Sequence, residues 1–205
     1  RRPIKGDWAG QAAPEYRAAA AVLADAVRRS AALAAPDGAI AALFRHQVAA
    51  AGPLSRHDLA WWSGLGLTRV DAALASLELT SDEGPDGRVY HDLPDAPPPA
   101  TLAGVHLLPE FDALFCAFDP AGRARFVDPA HYEVLWKQEN GQLLAPVLLD
   151  DRLRGHWRLT GSGPRRGLVV TLFPGTRELE DDDLTGPIVG LELALGITIG
   201  DVSLH

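Results

Sequence analysis

The chain has 205 residues, just under half of them apolar, a formal net charge of −8 and a single cysteine. That is enough apolar material for one large core or two small ones. It leaves no room for an internal disulfide framework or a multi-cysteine zinc site, and the acidic balance argues against a general nucleic-acid binder, which presents a basic surface. No apolar run approaches the ~18 to 20 residues of a bilayer span, and no secretory signal opens the chain. A cytoplasmic protein without membrane contact is therefore expected. Seventeen arginines against two lysines, with abundant Ala, Gly and Pro, suit a GC-rich bacterial genome. The absence of Met points to a missing natural start or to a piece trimmed from something longer.

In chain order, residues 1–35 form an N-terminal linker and helix. Residues 1–10 are the linker; Tyr16, Ala20, Leu23 and Val27 have helical spacing, with Pro14 suited to a first helical turn. Pro36-Asp37-Gly38 breaks that helix. Ile40, Leu43, Phe44 and Val48 predict a second helix, ended by Gly52-Pro53. Ser55 is placed to cap a third helix with Asp58 at the capping-box position, and that helix carries Trp61 and Trp62 to Gly64. Thr68 is placed to cap a fourth, with Val70, Ala73, Leu74 and Leu77 as its apolar stripe. Leu79–Glu83 and Arg88–Leu93 flank Pro85-Asp86-Gly87, a hairpin signal. Helices followed by a hairpin in this order, over residues 36–96, match a winged helix-turn-helix.

Pro97-Pro98-Pro99 reads as a stiff linker. Residues 101–205 predict a small β-rich domain, an antiparallel sheet or barrel, so the fold class is α+β: a winged helix-turn-helix followed by that domain. Its strands are Val105–Leu108, Leu143–Leu149, Arg152–Thr160 and Leu168–Phe173, with Ile197–Leu204 as a closing strand. Pro129–Lys137 and Thr185–Leu195 are its helices, and Gly161–Gly167 is a hairpin tip.

The blocks "AAAGPLSRHDLAWWSGLGLTRVDAAL", "HLLPEFDALF" and "NGQLLAPVLLDDRLRGHWRL", in that order, resemble the bacterial winged-helix DNA-binding family that includes the AlkZ-like DNA glycosylases, over about Ile40 to Leu204. The resemblance implies tandem winged helices and a β-rich carboxyl-terminal part around a concave DNA-binding surface. It implies excision of bulky alkylated bases, including crosslinked ones, without a metal. The family's catalytic Gln-x-Gln or Gln-x-Asp motif belongs to its amino-terminal half. Gln11, Gln47, Gln138 and Gln142 do not form it, so no catalytic residue is carried over and the chain alone is not expected to be an enzyme. The stretch Cys116-Ala117-Phe118-Asp119-Pro120 also departs from the Gly-Tyr-x-Asp-Arg-like loop expected there.

The charges divide the chain. Between Leu54 and Asp95, Arg56, Arg69 and Arg88 face eight carboxylates, a net of −5. Phosphate repulsion opposes docking by this segment, and Arg69 is the one basic residue on the exposed face of the fourth helix. Arg152–Arg177 holds Arg152, Arg154, Arg158, Arg165, Arg166 and Arg177 with His156 and no carboxylate. Arg152, Arg154, Arg165, Arg166 and Arg69 are the DNA-contact candidates, with Arg165 and Arg166 at the hairpin tip. The alternative is a solvated hairpin with ordinary surface arginines.

Trp61 and Trp62 point about 100° apart on a helix. One should seal the small core and the other should meet another segment. Glu110 and Asp112 share a face if extended and are assigned, with Trp157 and Arg158, to structural contacts, Arg158 pairing with a carboxylate. His131-Tyr132-Glu133 superficially matches a deaminase motif, but no Cys pair follows. Cys116 reads as inert core. No metal and no cofactor are expected. The partner is double-stranded DNA, or else a protein or a missing N-terminal domain, in which case the winged helix is an interaction or regulatory module.

Overall fold

The computed structural model describes residues 2–3, 14–15, 21, 36–98, 100–137 and 141–205. The chain divides into two compact units, Arg1–Ala96 and Pro97–His205. Most of the expected first helix lies outside the described residues. Pro14–Glu15 (β2), where a first helical turn was predicted, instead pair antiparallel with Arg2–Pro3 (β1).

In the first unit, α1 (Pro36–Ala51) leads to β3 (Leu54–Ser55), α2 (Arg56–Ser63), α3 (Leu67–Leu74), β4 (Thr80–Glu83) and β5 (Val89–Asp92). The predicted break at Pro36-Asp37-Gly38 is the first turn of α1. Proline suits that position because its missing N–H has no helical partner there, and Asp37 favours the positive helix end. At α2 the expected capping box is present. Asp58 Oδ2 accepts from the Ser55 amide at 2.9 Å, and Ser55 Oγ accepts from the Asp58 amide at 3.3 Å. Gly64 closes the helix in the left-handed region, φ 70°. Thr68 is not a cap: α3 begins at Leu67 and its N-cap is Gly66.

Phe44 and Val48 of α1, Leu54, Leu59, Val70, Ala73 and Tyr90 are buried, and α1 and α2 both pack on α3. The hairpin pairs β4 with β5, and β3 adds to the other side of β5. Trp61 and Trp62 do not seal this core, being 47% and 37% exposed. Trp62 falls between Asp58 and Leu59 in projection at about 100° per residue. The eight-residue helix nevertheless buries one turn, which Asp58 and Leu59 occupy.

The second unit contains β6 (Val105–Leu107), α4 (Ala113–Cys116), a 3-10 helix (Pro120–Arg125), α5 (Pro129–Leu135), β7 (Trp136–Lys137), β8 (Gln142–Leu143), β9 (Ala145–Leu149), β10 (Arg152–Thr160), β11 (Arg165–Leu172), α6 (Asp181–Leu195) and β12 (Thr198–Leu204). Five strands form one open sheet in the order β12-β11-β10-β9-β6. It is mixed rather than wholly antiparallel. The α6 crossover returns the chain to the starting end of β11, so β12 runs parallel to it.

One sheet face packs on α6: Leu184, with Ile188 and Leu191, meets Val105, Val147, Leu149, Leu168 and Val170. Alternation along the strands turns Leu148 and Leu153 to the other face, and in the plane of the sheet the Leu153 amide donates to the Phe126 carbonyl at 2.7 Å, in a parallel bridge of Val127 with Leu153. Beside them is an aromatic cluster around the buried Arg123. Its guanidinium carbon lies 4.8, 5.4 and 5.0 Å from the ring centres of Phe115, Tyr132 and Trp136. It donates to the Phe118 carbonyl at 3.0 Å and to the Tyr132 hydroxyl. Among the described residues no helix is long and apolar enough to cross a membrane.

Candidate nucleic-acid interface

The β10–β11 hairpin and β12 set side chains in rows across the sheet face opposite α6. Register places Thr160, Gly167 and Asp201 in one row and Arg158, Val169 and Ser203 in the next. Period-two alternation keeps the intervening Leu159 and Leu168 on the α6 face, where they join the core. The row face is therefore polar and open: Arg158, Asp201 and Ser203 are exposed, and Thr160 and Val169 are half-buried.

The candidate arginines have distinct fates. Arg152 is spent on structure, donating to the Arg125 carbonyl at 3.1 Å and the Ala124 carbonyl at 3.5 Å, which closes the 3-10 helix. Arg154 sits at the irregularity between Leu153 and Gly155. It lines a cavity of about 210 Å³ with Asp150, Gly175, Thr176 and Arg177. Arg166 is not an outward tip residue. It is the second residue of β11 and folds back, donating to the carbonyls of Gly163 and Gly161 at 2.8 Å each, so the turn Gly161–Pro164 is held closed. Arg165 is also in the strand, and its guanidinium lies across Gly200 of β12: a Cβ there would stand 2.6 Å from Nε.

Arg158 is exposed, and its guanidinium has no carboxylate partner among the described residues. The expected pairing with Glu110 or Asp112 is absent. Asp112 turns instead to cap α4, accepting from the Leu114 amide at 2.8 Å, and Glu110 is exposed. Trp157 holds the β6 exit through its indole N–H, 2.7 Å from the Leu108 carbonyl.

Between the rows and the tip lies a cavity of about 360 Å³ lined by Thr160, Arg165, Asp201 and Ser203 among others. Gly167 opens its floor, and Gly200 leaves room for the Arg165 guanidinium. A Cβ on Gly167 would meet Thr160 Oγ1 at 2.5 Å, and one on Gly200 would meet the Arg165 guanidinium. Sequence reading took Gly167 as part of a flexible tip and did not single out Gly200. The usable signal was a glycine inside a strand, which marks a bulge or a close approach.

In the first unit Arg56 and Arg69, on α2 and α3, face carboxylates, while Arg45 on α1 is exposed and has no partner among the described residues. Arg56 Nη2 lies 2.6 Å from Asp71 Oδ2 on α3, and Arg69 Nη2 lies 4.0 Å from Asp37 Oδ1. The His131 ring stacks on Phe173 with centres 4.3 Å apart. Burial pushes the Cys116 thiol up, away from a reactive thiolate. No group of three or more His, Cys, Asp or Glu among the described residues is arranged to hold a metal ion.

The family model described as DNA glycosylase AlkZ-like matches residues 1–186, starting earlier and stopping sooner than the motif blocks at about 40–204. No curated protein matches the chain. Among solved structures, Streptomyces sahachiroi DNA glycosylase AlkZ is similar at 21% identity and a TM-score of 0.71, over 84% of this chain and 47% of that one. The likeness is one of fold, and the chain spans about half the length of that relative.

Proposed function

The chain belongs to the AlkZ-like DNA glycosylase family, and from that premise we propose that it is a DNA-contacting portion of a DNA-repair protein of this class that does not itself excise a base. The helix–strand–helix–helix–hairpin succession of residues 36–96 is read as a winged helix-turn-helix, and residues 101–205 as the β-rich carboxyl-terminal part. Residues 1–35 are read as linker and helix.

The observation that carries the reading is the contrast between cations. The two exposed arginines of the row face and hollow, Arg158 and Arg165, have guanidiniums without a partner among the described residues, whereas Arg56 and Arg69 of the first unit face Asp71 and Asp37. A phosphate contact needs a donor that is not already neutralised. The duplex therefore meets the β10–β11–β12 face, and helix α3, set in the acidic segment 54–95, is scaffold. Excision is assigned elsewhere because no glutamine stands two residues before another Gln or an Asp.

The test is duplex binding in low-salt buffer, followed by fluorescence anisotropy. Arg158→Gln should weaken binding and Arg69→Gln should barely change it. The opposite ranking would show conventional docking by α3. No binding by the unmodified chain would favour the second reading, a protein-interaction module, for which the acidic surface of residues 54–95 speaks.

A further inference from the structure

We propose that the hollow floored by Gly167 and lined by Arg165 is a single-phosphate subsite, a claim that rests on the duplex-contact reading of the same face and specifies it. The strands are bent open there. The β11–β12 register shifts between Arg166 and Gly167, and on the β12 side it steps from Ile199 to Asp201, leaving Gly200 unpaired. A bulge of this kind re-aims side chains. Here it lets the Arg165 guanidinium lie flat over the Gly200 backbone, in space that any other residue would fill.

Arg165 then presents a planar fork of donors, the geometry suited to phosphate oxygens. Thr160 and Ser203, one on each side of the floor, add hydroxyls able to donate to the same oxygens. Arg166, locked on Gly161 and Gly163, fixes the end wall instead of contacting the ligand.

Asp201 sets the stoichiometry and the class of ligand. Its carboxylate stands in the wall of the hollow and repels a second anionic group, so the site takes one phosphate and not a run of them. A singly charged phosphodiester of a nucleic-acid backbone suits it better than a doubly charged monoester.

The subsite is tested on the full chain with a fluorescein-labelled duplex over a salt series, and with inorganic phosphate followed by 31P NMR. Arg165→Gln should lower affinity and reduce the log–log salt slope by about one unit. Gly200→Ala should do the same by driving Arg165 off its seat, and Asp201→Asn should raise affinity several-fold. Arg165→Gln leaves the backbone unchanged and keeps the test readable if Gly200→Ala fails to fold. Duplex binding that neither Arg165→Gln nor Gly200→Ala alters would sink the subsite and leave the duplex-contact reading standing. Phosphate line broadening lost in Arg165→Gln, in a chain that binds no duplex, would keep the subsite for free phosphate and remove the DNA reading. Binding of neither probe would remove both.

Discussion

Arg177 grips Asp183 with two parallel hydrogen bonds, Nη1 to Oδ2 at 2.7 Å and Nη2 to Oδ1 at 2.9 Å. Asp183 also accepts from the Glu180 amide at 2.9 Å, so the pair ties the β11–α6 connection to the first turn of α6. Arg177 and then the amide hold the Asp183 carboxyl down at about 2. A depressed carboxylate contributes stability that is complete above its unfolded value of about 3.9 and is lost as pH falls toward the folded value. The urea midpoint should therefore drop between pH 4 and pH 2. Asp183→Asn should lower the midpoint at pH 5 and flatten the acid slope, and an unchanged slope in that variant would exclude the pair as its source.

Arg123 is a buried cation enclosed by the rings of Phe115, Tyr132 and Trp136. Arg123→Ala removes charge-assisted hydrogen bonds and a large packed stem and should cost roughly 3 kcal/mol or more. Lysine cannot stack as a plane and should not restore the loss. Arg123→Met, apolar and similar in length, should recover more of it than lysine does. Chemical denaturation of the three variants ranks them, and equal recovery by lysine would refute the stacking account.

The exposed tryptophans should be tolerant positions. Trp62→Ala is expected to cost about 1 kcal/mol or less, whereas Leu59→Ala on the same helix should cost about 2 to 5 kcal/mol. Thermal melts distinguish the two classes. A Trp62 loss as large as that of Leu59 would mean that the indole is covered in solution.

Base release is the catalytic check. Protein in excess over a duplex carrying a bulky alkylated purine should leave the glycosidic bond intact, read by heat-induced strand cleavage. Release above the protein-free rate would place chemistry in this chain despite the missing glutamine pair.

What the sequence made legible was local. Ser55 and Asp58 are three residues apart, and Asp86-Gly87 lies between two short strands, so each carries its own geometry. Trp61 and Trp62 were misjudged because burial depends on how many helical turns the core covers, which adjacent residues do not encode. The tip arginines were misplaced for a similar reason. Arg166 finds its acceptors within five residues, yet nothing in a Gly-rich run says that it will turn inward. Arg123 went unnoticed because its cage is assembled from Phe115, Tyr132 and Trp136 across several short elements. The parallel placement of β12 follows from the α6 crossover, and weak alternation alone could not supply it.

The uneven burial of the indoles gives the molecule a built-in optical division. Trp61 and Trp62 stand in the first unit and are substantially wetted, while Trp136, stacked on Phe115, and Trp157, bonded to the Leu108 carbonyl, are half-buried in the second. Emission should contain a red, readily quenched component from the first pair and a bluer, protected component from the second. With Trp8, Trp61 and Trp62 changed to Phe, the remaining spectrum would come from the second unit alone. Acrylamide quenching of that variant would follow the loosening of the sheet and the Arg123 cage without interference from the helices of the first unit.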